Sequence, residues 1–269
     1  MDAERDTANR HPSGPGPEER VRTVVVTGAG RGIGAALARR FAAVGDRVVV
    51  NDIDAGKAQA VAAEIGGIAL PGDASGVVPA AREALGGRID VYCANAGIAP
   101  YGGPEADEQV WADAWDVNVM AHVRAARDLL PEWLERGSGR FVATVSAAGL
   151  LTMVGSAPYS VTKHGALAFA EWLSATYRHR GVAVHAVCPQ GVRTDMLTAA
   201  GPAADIVLRD TSIEPEQVAD AVMEAIAEER FLVLPHPEVA GYYAARATTP
   251  DRWLDGMNRV QQKLEETAR

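Results

Sequence analysis

The chain has 269 residues, 48% of them hydrophobic and 23% charged; this excludes a mostly disordered polymer and leaves enough apolar material for a sizeable core. A formal charge of −9 argues against a nucleic-acid binder, which usually carries a basic surface. No apolar run reaches the ~18 residues of a membrane span, and two cysteines, Cys93 and Cys188, cannot form a disulfide framework.

Residues 1–20 are polar and proline-rich and read as a flexible tail with no apolar signal segment. Together with two thiols that end apolar runs, this points to the cytoplasm. Val21 to Thr27 is a short Val-rich run that predicts a buried strand. Leu37, Phe41 and Val44 then recur at helical spacing over residues 34–44. Arg47 to Val50 is the next strand, 54–65 a helix, Ile68 to Leu70 a weaker strand, and 77–85 a short helix. Ile89 to Ala94 reads as a strand, 107–135 as one or two helices, and Arg140 to Val145 as a strand. A long helix over 157–180, a strand from Val182 to Val187, a helix over 215–229 and a last apolar run from Phe231 to Leu234 complete the pattern. Strands apolar throughout, alternating with helices, predict an α/β fold with a doubly wound parallel sheet of about seven strands, covered on both faces. With no break resembling a linker, residues 21–269 form one expected domain.

Thr27-Gly28-Ala29-Gly30-Arg31-Gly32-Ile33-Gly34 joins the first strand to the first helix. Gly28, Gly32 and Gly34 put no side chain between backbone and a pyrophosphate, and the following helix N-terminus turns free N–H groups toward it. A glycine run alone is a weak signal and often just a tight turn, but the strand before it and the helix after it favour a dinucleotide site. No Gly-Lys-Ser/Thr ending suggests a nucleoside triphosphate loop. Asp52 closes the second strand, where a carboxylate accepts hydrogen bonds from ribose hydroxyls and repels the extra phosphate of NADP. Asn51, Ile53 and Asp54 supply no compensating cation. NAD is therefore expected over NADP, with Arg31 the one residue arguing the other way.

Tyr159 and Lys163 lie four apart at the start of the long helix and share a face. An ammonium beside a phenol favours the phenolate, so the lysine is expected to lower the tyrosine pKa toward working pH. Tyr159 is then a candidate general acid/base, and Ser146, ending the preceding strand, a candidate donor to a substrate oxygen. A lone Tyr-x-x-x-Lys pair also occurs by chance on surfaces.

In this order, the motifs across residues 21–194 resemble those of the short-chain dehydrogenase/reductase family, whose fold is a Rossmann-type sheet. The glycine loop has that family's spacing. Asn95-Ala96-Gly97 resembles its Asn-Asn-Ala-Gly motif, with Ala94 in place of the first asparagine. The resemblance implies Ser146, Tyr159, Lys163 and Asn118 as catalytic residues. It implies Asp73 and Ala74 near the adenine ring, with Ile33 and Ile53 also lining the cofactor. Pro189, Gly191, Val192 and Thr194 match the Pro-Gly segment that holds the nicotinamide carboxamide. The implied reaction moves hydride between NAD(H) and the carbinol or carbonyl carbon of a small-molecule alcohol or ketone. Tyr159 exchanges the proton, and Asn118 acts through a helix irregularity and a water. The family also implies a homo-oligomer, a tetramer or dimer, through the helices at 107–135 and 157–180.

Two departures stand out. Gln190 occupies the second position of the Pro-Gly segment, which makes the carboxamide contact of Thr194 less secure, and the stretch from Asp73 to Asp90 is short for the family. None of the six histidines pairs at metal-ligand spacing, so no metal is expected. His164 points off the Lys163 face, toward solvent or a packing contact. Trp111 and Trp115 are expected to pack in the core or a subunit contact. Tyr242 and Tyr243 suit either a pocket or a subunit contact. Ile98, Leu150, Leu151, Met153, Val154 and Met196 predict an apolar pocket for a moderately hydrophobic secondary alcohol or ketone. Two rival readings remain: an NADPH-dependent reductase of 3-oxoacyl thioesters, and a non-catalytic dinucleotide sensor on the same fold.

Overall fold

In the computed structural model, residues 20–199 and 211–267 are described; residues 1–19 of the expected tail lie outside them. Seven parallel strands lie in the order β3-β2-β1-β4-β5-β6-β7. They are β1 (Thr23–Val26), β2 (Arg47–Val50), β3 (Ile68–Ala69), β4 (Val91–Ala94), β5 (Gly139–Thr144), β6 (Val182–Val187) and β7 (Leu232–Val233). The register runs Val26 against both Val50 and Cys93, and Cys93 against Val142. The strand order reverses between β1 and β4, and a crevice opens there at the carboxyl ends of the strands.

Each strand needs cover on both faces because its side chains alternate between them. One face buries Val24, Val26, Val91 and Val142 under Leu37 and Phe41 of α1 (Gly32–Ala43) and Val222 and Ile226 of α9 (Pro215–Ala227). The other buries Tyr92, Phe141 and Val184 under Leu129 and Trp133 of α5 (Ala121–Arg136) and Leu167 and Leu173 of α7 (Ala157–Tyr177). Trp133 is fully buried and its indole N–H donates to the Ile89 carbonyl at 2.8 Å. Its polar atom is thus satisfied, and the ring contributes roughly 2–3 kcal/mol of burial.

Most expected elements are present with trimmed ends. The first strand is four residues rather than seven, and the long helix ends at Tyr177 before a 3₁₀ turn over Arg178–Arg180. α2 (Ala55–Ile65) follows β2, and α3 (Val77–Ala84) is the short helix of the shortened stretch. The 107–135 region is α4 (Glu108–Trp115), one π-helical turn over Asp116–Met120, then α5. Trp115 is not a core residue: it is 44% exposed, against Gly165 of α7. The elements expected from sequence did not include the short α6 (Ala147–Leu150) and α8 (Asp195–Thr198), nor α10 (Glu238–Thr248) and α11 (Pro250–Thr267). In the last pair, the Arg246 guanidinium lies 5.7 Å from the Trp253 ring centre and also donates to the Leu150 carbonyl. That contact draws the C-terminal helices against the turn that follows Ser146.

Candidate active site

A cavity of about 660 Å³ occupies the crevice. Its lining includes Gly28, Arg31, Gly32 and Ile33 after β1, Asp52 and Ile53 after β2, and Asp73 and Ala74 after β3. Asn95, Ala96 and Gly97 follow β4; Ser146 follows β5; Pro189, Val192 and Thr194 follow β6. Tyr159 and Lys163 reach in from α7. Of the residues expected from sequence, Gly34, Asn118 and Gly191 are not part of this lining.

The glycine loop works by close approach. A Cβ on Gly34 would lie 2.2 Å from the Gly28 carbonyl oxygen, and Gly28 itself has φ +60° and sits against the Ala96 backbone. No other residue fits there without moving the loop. Thr27 locks the loop to β4: its hydroxyl donates to the Cys93 carbonyl at 3.1 Å and accepts from the Asn95 and Ala96 N–H groups at 3.0 and 3.1 Å. The Asn95 amide returns hydrogen bonds to the Thr27 and Gly28 carbonyls at 2.9 and 3.2 Å. Asp52 accepts from the Gly30 N–H at 2.9 Å and from the Asp54 N–H at 3.0 Å. Its carboxylate is therefore fixed beside the loop with acceptor capacity left over. Arg31 is engaged by Asp195 at 2.7 Å. Asp73 accepts from the Ser75 N–H at 2.6 Å and so shapes the turn at the far end.

At the opposite end, Ser146 caps α6 by accepting from the Ala148 N–H at 3.1 Å. The Lys163 ammonium donates to the Thr144 carbonyl at 2.9 Å and lies 5.7 Å from the Tyr159 ring centre. Both side chains are buried. Burial lowers the Lys163 pKa to about 8. The expectation that the lysine lowers the tyrosine pKa is not met. Burial raises the Tyr159 phenol above its ordinary value, and a hydrogen bond with Ser146 only partly opposes this.

Asn118 sits in the π-helical turn, the irregularity expected there. Its amide donates to the Ile98 carbonyl at 2.9 Å and the Thr162 hydroxyl at 3.0 Å, while its oxygen accepts from the Ile98 N–H at 2.9 Å. A Cβ on Gly97 would meet that oxygen at 3.1 Å and the Lys163 nitrogen at 3.4 Å. The absent side chain leaves a gap bounded by both atoms.

Thr194 holds two jobs at once: its hydroxyl donates to the Val192 carbonyl and caps α8 by accepting from the Leu197 N–H. Its methyl group also lies 3.0 Å from where a Gly32 Cβ would be, so the Pro189–Thr194 segment crosses the glycine loop. Met153, Val154 and Leu151 line the cavity as expected, joined by Tyr242, Trp253 and Met257 from α10 and α11. Tyr242 therefore faces the cavity. Sequence reading missed Trp253 and Met257, although Trp253, Met257, Val260 and Leu264 recur at helical spacing. It also gave no role to His236, which is 2% exposed and bonded to the Pro189–Thr194 segment. His164 is not catalytic in placement: one ring nitrogen bonds the Ser160 carbonyl at 2.8 Å.

Comparison with known proteins agrees with this geometry. The family model described as short chain dehydrogenase matches residues 22–205. A 1-deoxy-11-beta-hydroxypentalenate dehydrogenase from Streptomyces exfoliatus is 39% identical over 227 residues, which is 78% of this chain and 81% of the relative. The 2-(S)-hydroxypropyl-CoM dehydrogenase 3 of Xanthobacter autotrophicus is 31% identical, over 78% of this chain and 91% of the relative. Among solved structures, a short chain dehydrogenase/reductase from Burkholderia phymatum in complex with NAD superposes with a TM-score of 0.78 at 27% identity, covering 84% of this chain and 93% of that one. A short-chain dehydrogenase from Sphingobium yanoikuyae in complex with NADPH gives 0.72 at 27% identity, covering 91% and 96%. The chain thus belongs to the short-chain dehydrogenase/reductase family of oxidoreductases acting on hydroxyl and keto groups.

Proposed function

We propose that the protein is an NAD-dependent dehydrogenase of a moderately hydrophobic secondary alcohol, run in either direction with its ketone. One observation carries the reading: a single cavity runs from Asp52 to Ser146, Tyr159 and Lys163. A dinucleotide spans such a distance, with adenosine at one end and the reacting ring at the other.

The residues present fit that cofactor. The side-chain-free edges of Gly28, Gly32 and Gly34 admit a pyrophosphate to the start of α1. Asp52, Ile53, Asp73 and Ala74 would take the adenosine, and Asn95 through Gly97 the middle. Pro189, Gly191, Val192 and Thr194 would take the nicotinamide end. NAD is favoured over NADP because Asp52 stands where a 2′-phosphate would lie and Arg31 is already engaged by Asp195. When bound, NAD supplies the hydride acceptor.

The protein's own groups handle the proton. Ser146 orients the substrate hydroxyl and donates to the oxygen as charge develops on it. Tyr159 takes the hydroxyl proton as general base. It needs positive charge nearby to ionise at neutral pH, since burial alone works against it. Lys163 carries one such charge below pH of about 8, and the oxidised nicotinamide carries another. The proton then leaves Tyr159 by way of Lys163, which gives up one proton as it takes another, and passes to solvent through a water over Gly97 beside Asn118. Leu151, Met153, Val154, Tyr242, Trp253 and Met257 give the substrate end its apolar wall. The names of relatives acting on hydroxypentalenate and hydroxypropyl groups support a hydroxyl substrate.

We also propose a cytoplasmic homo-oligomer, a tetramer or dimer. Val161, Trp172 and Trp115 are 49%, 53% and 44% exposed along α7 and α4, an apolar face suited to a second copy. Light scattering at the monomer mass would refute this. For the reaction, a screen of secondary alcohols, including cyclic terpenoids and steroids, with NAD and NADP in parallel tests the proposal. NADH formation with at least one alcohol, faster than NADPH formation, is expected; binding of NAD with no turnover across the panel would favour a sensor instead.

A further inference from the structure

We infer that His236 is a positioning residue for the nicotinamide end of the site, a role that rests on the dinucleotide reading above. The Pro189–Thr194 segment forms the cavity wall beside Ser146, Tyr159 and Lys163, yet it belongs to no helix or strand. Its position depends on what bonds to it. The Pro189 carbonyl accepts from the Ala147 N–H at 2.8 Å, which ties the segment to the turn after Ser146. The Ile213 N–H donates to the Gly191 carbonyl at 3.1 Å, and the Arg193 N–H to the Ile213 carbonyl at 2.9 Å. Between these anchors, one imidazole makes two further contacts. The Gln190 N–H donates to His236 Nδ1 at 3.1 Å, and His236 Nε2 faces the Gly191 carbonyl at 3.1 Å.

These partners decide the tautomer. A backbone N–H can only donate, so Nδ1 must be the acceptor. A carbonyl can only accept, so the ring proton sits on Nε2. Neutral His236 is therefore a clamp with one acceptor and one donor set on consecutive residues of the wall. The ring is itself held. It is 2% exposed, stands between Pro235 and Pro237, and the proline after it restricts its backbone to extended conformations. The Val239 N–H bonds its carbonyl at 3.1 Å as α10 begins. The clamp acts where this chain carries Gln190 instead of the family's glycine. Gln190 has no left-handed φ, so the backbone there is an ordinary one that two hydrogen bonds can hold in place.

The consequence is local. Loss of the clamp frees the wall at the reacting end around Gln190 and Gly191. The segment meets the glycine loop at Thr194, which keeps its own bonds to Val192 and Leu197, so the adenosine end at Asp52 is left in place. NAD should feel this and ADP-ribose, which lacks the nicotinamide, should not. The test is calorimetric binding of both ligands to the full chain as wild type, His236→Leu and His236→Asn. Removing these two hydrogen bonds is expected to weaken NAD binding by about tenfold in His236→Leu, with ADP-ribose changed by less than about twofold. His236→Asn offers an amide acceptor and donor and is expected to recover part of the NAD affinity. Equal weakening of both ligands, or no change in either, would overturn the inference. Wild-type protein that binds neither ligand would instead defeat the dinucleotide reading. Should His236→Leu fail to fold, imidazole ¹⁵N NMR of the wild type decides: a proton on Nε2 supports the clamp and a proton on Nδ1 refutes it.

Discussion

Replacing Lys163 with methionine should stabilise the fold while removing activity. The ammonium is buried, 4% exposed, with the Thr144 carbonyl as its hydrogen-bond acceptor at 2.9 Å. Burial takes its pKa from 10.5 to about 8, a displacement equivalent to roughly 3 kcal/mol. The sign follows from proton counts. Between about pH 8 and 10.5 the unfolded chain holds the proton and the folded chain has released it, so this group makes stability rise with pH there. Below about pH 8 both states are charged and the full cost falls on the folded state. A methionine side chain would fill similar volume without charge, which removes the roughly 3 kcal/mol penalty; leaving the Thr144 carbonyl without its donor offsets about 1 kcal/mol. Urea unfolding followed by circular dichroism should therefore show Lys163→Met about 2 kcal/mol more stable at pH 7, with the gap closing near pH 10. Turnover should fall by about 10²–10⁴. A variant less stable than wild type at pH 7, or an advantage independent of pH, would refute the reasoning.

Three further outcomes are expected. Asp90 is buried and accepts from the Thr23 N–H and hydroxyl and from Arg88 and Arg20. Burial opposes its charge, but these donors outweigh it and hold its pKa at about 2. Its contribution is present above about pH 4 and lost as pH falls toward 2, so Asp90→Asn should cost about 2 kcal/mol at neutral pH and progressively less below pH 4 in urea titrations. Gly34→Ala places a Cβ 2.2 Å from the Gly28 carbonyl oxygen; calorimetry should find NAD binding weakened by at least about a hundredfold, and unchanged affinity would show that the loop holds no pyrophosphate. Asp52→Ser should raise the ratio of NADP to NAD efficiency by about tenfold or more, since a carboxylate facing a phosphate is removed; an unchanged ratio in steady-state rates would place the adenosine elsewhere.

The sheet and its site were largely legible because their signals are local. Val-rich runs such as Val24 to Val26 and Val48 to Val50 are apolar on both faces and cannot lie at a surface. The glycine loop falls between one such strand and an amphipathic helix, so its position in the fold is fixed by its neighbours. Tyr159 and Lys163 share a helical face by spacing alone. What escaped was non-local. His236 meets Gln190 and Gly191 across more than forty residues, and nothing around it is periodic. Trp253 and Met257 reach the cavity from a helix pair that Arg246 ties to Leu150, nearly a hundred residues earlier in the chain. The direction of the Tyr159 pKa was misread because spacing reports the lysine's proximity and says nothing of burial, the largest influence on the phenol.

The central claim is that Tyr159 is the proton-transfer group of a dinucleotide-dependent alcohol dehydrogenase. The most direct measurement compares wild type with Tyr159→Phe for NADH formation on an accepted alcohol, alongside calorimetric NAD binding to both. The account predicts a fall in turnover of about 10²–10⁴ with NAD affinity unchanged to within about twofold. Near-normal turnover by Tyr159→Phe would contradict it.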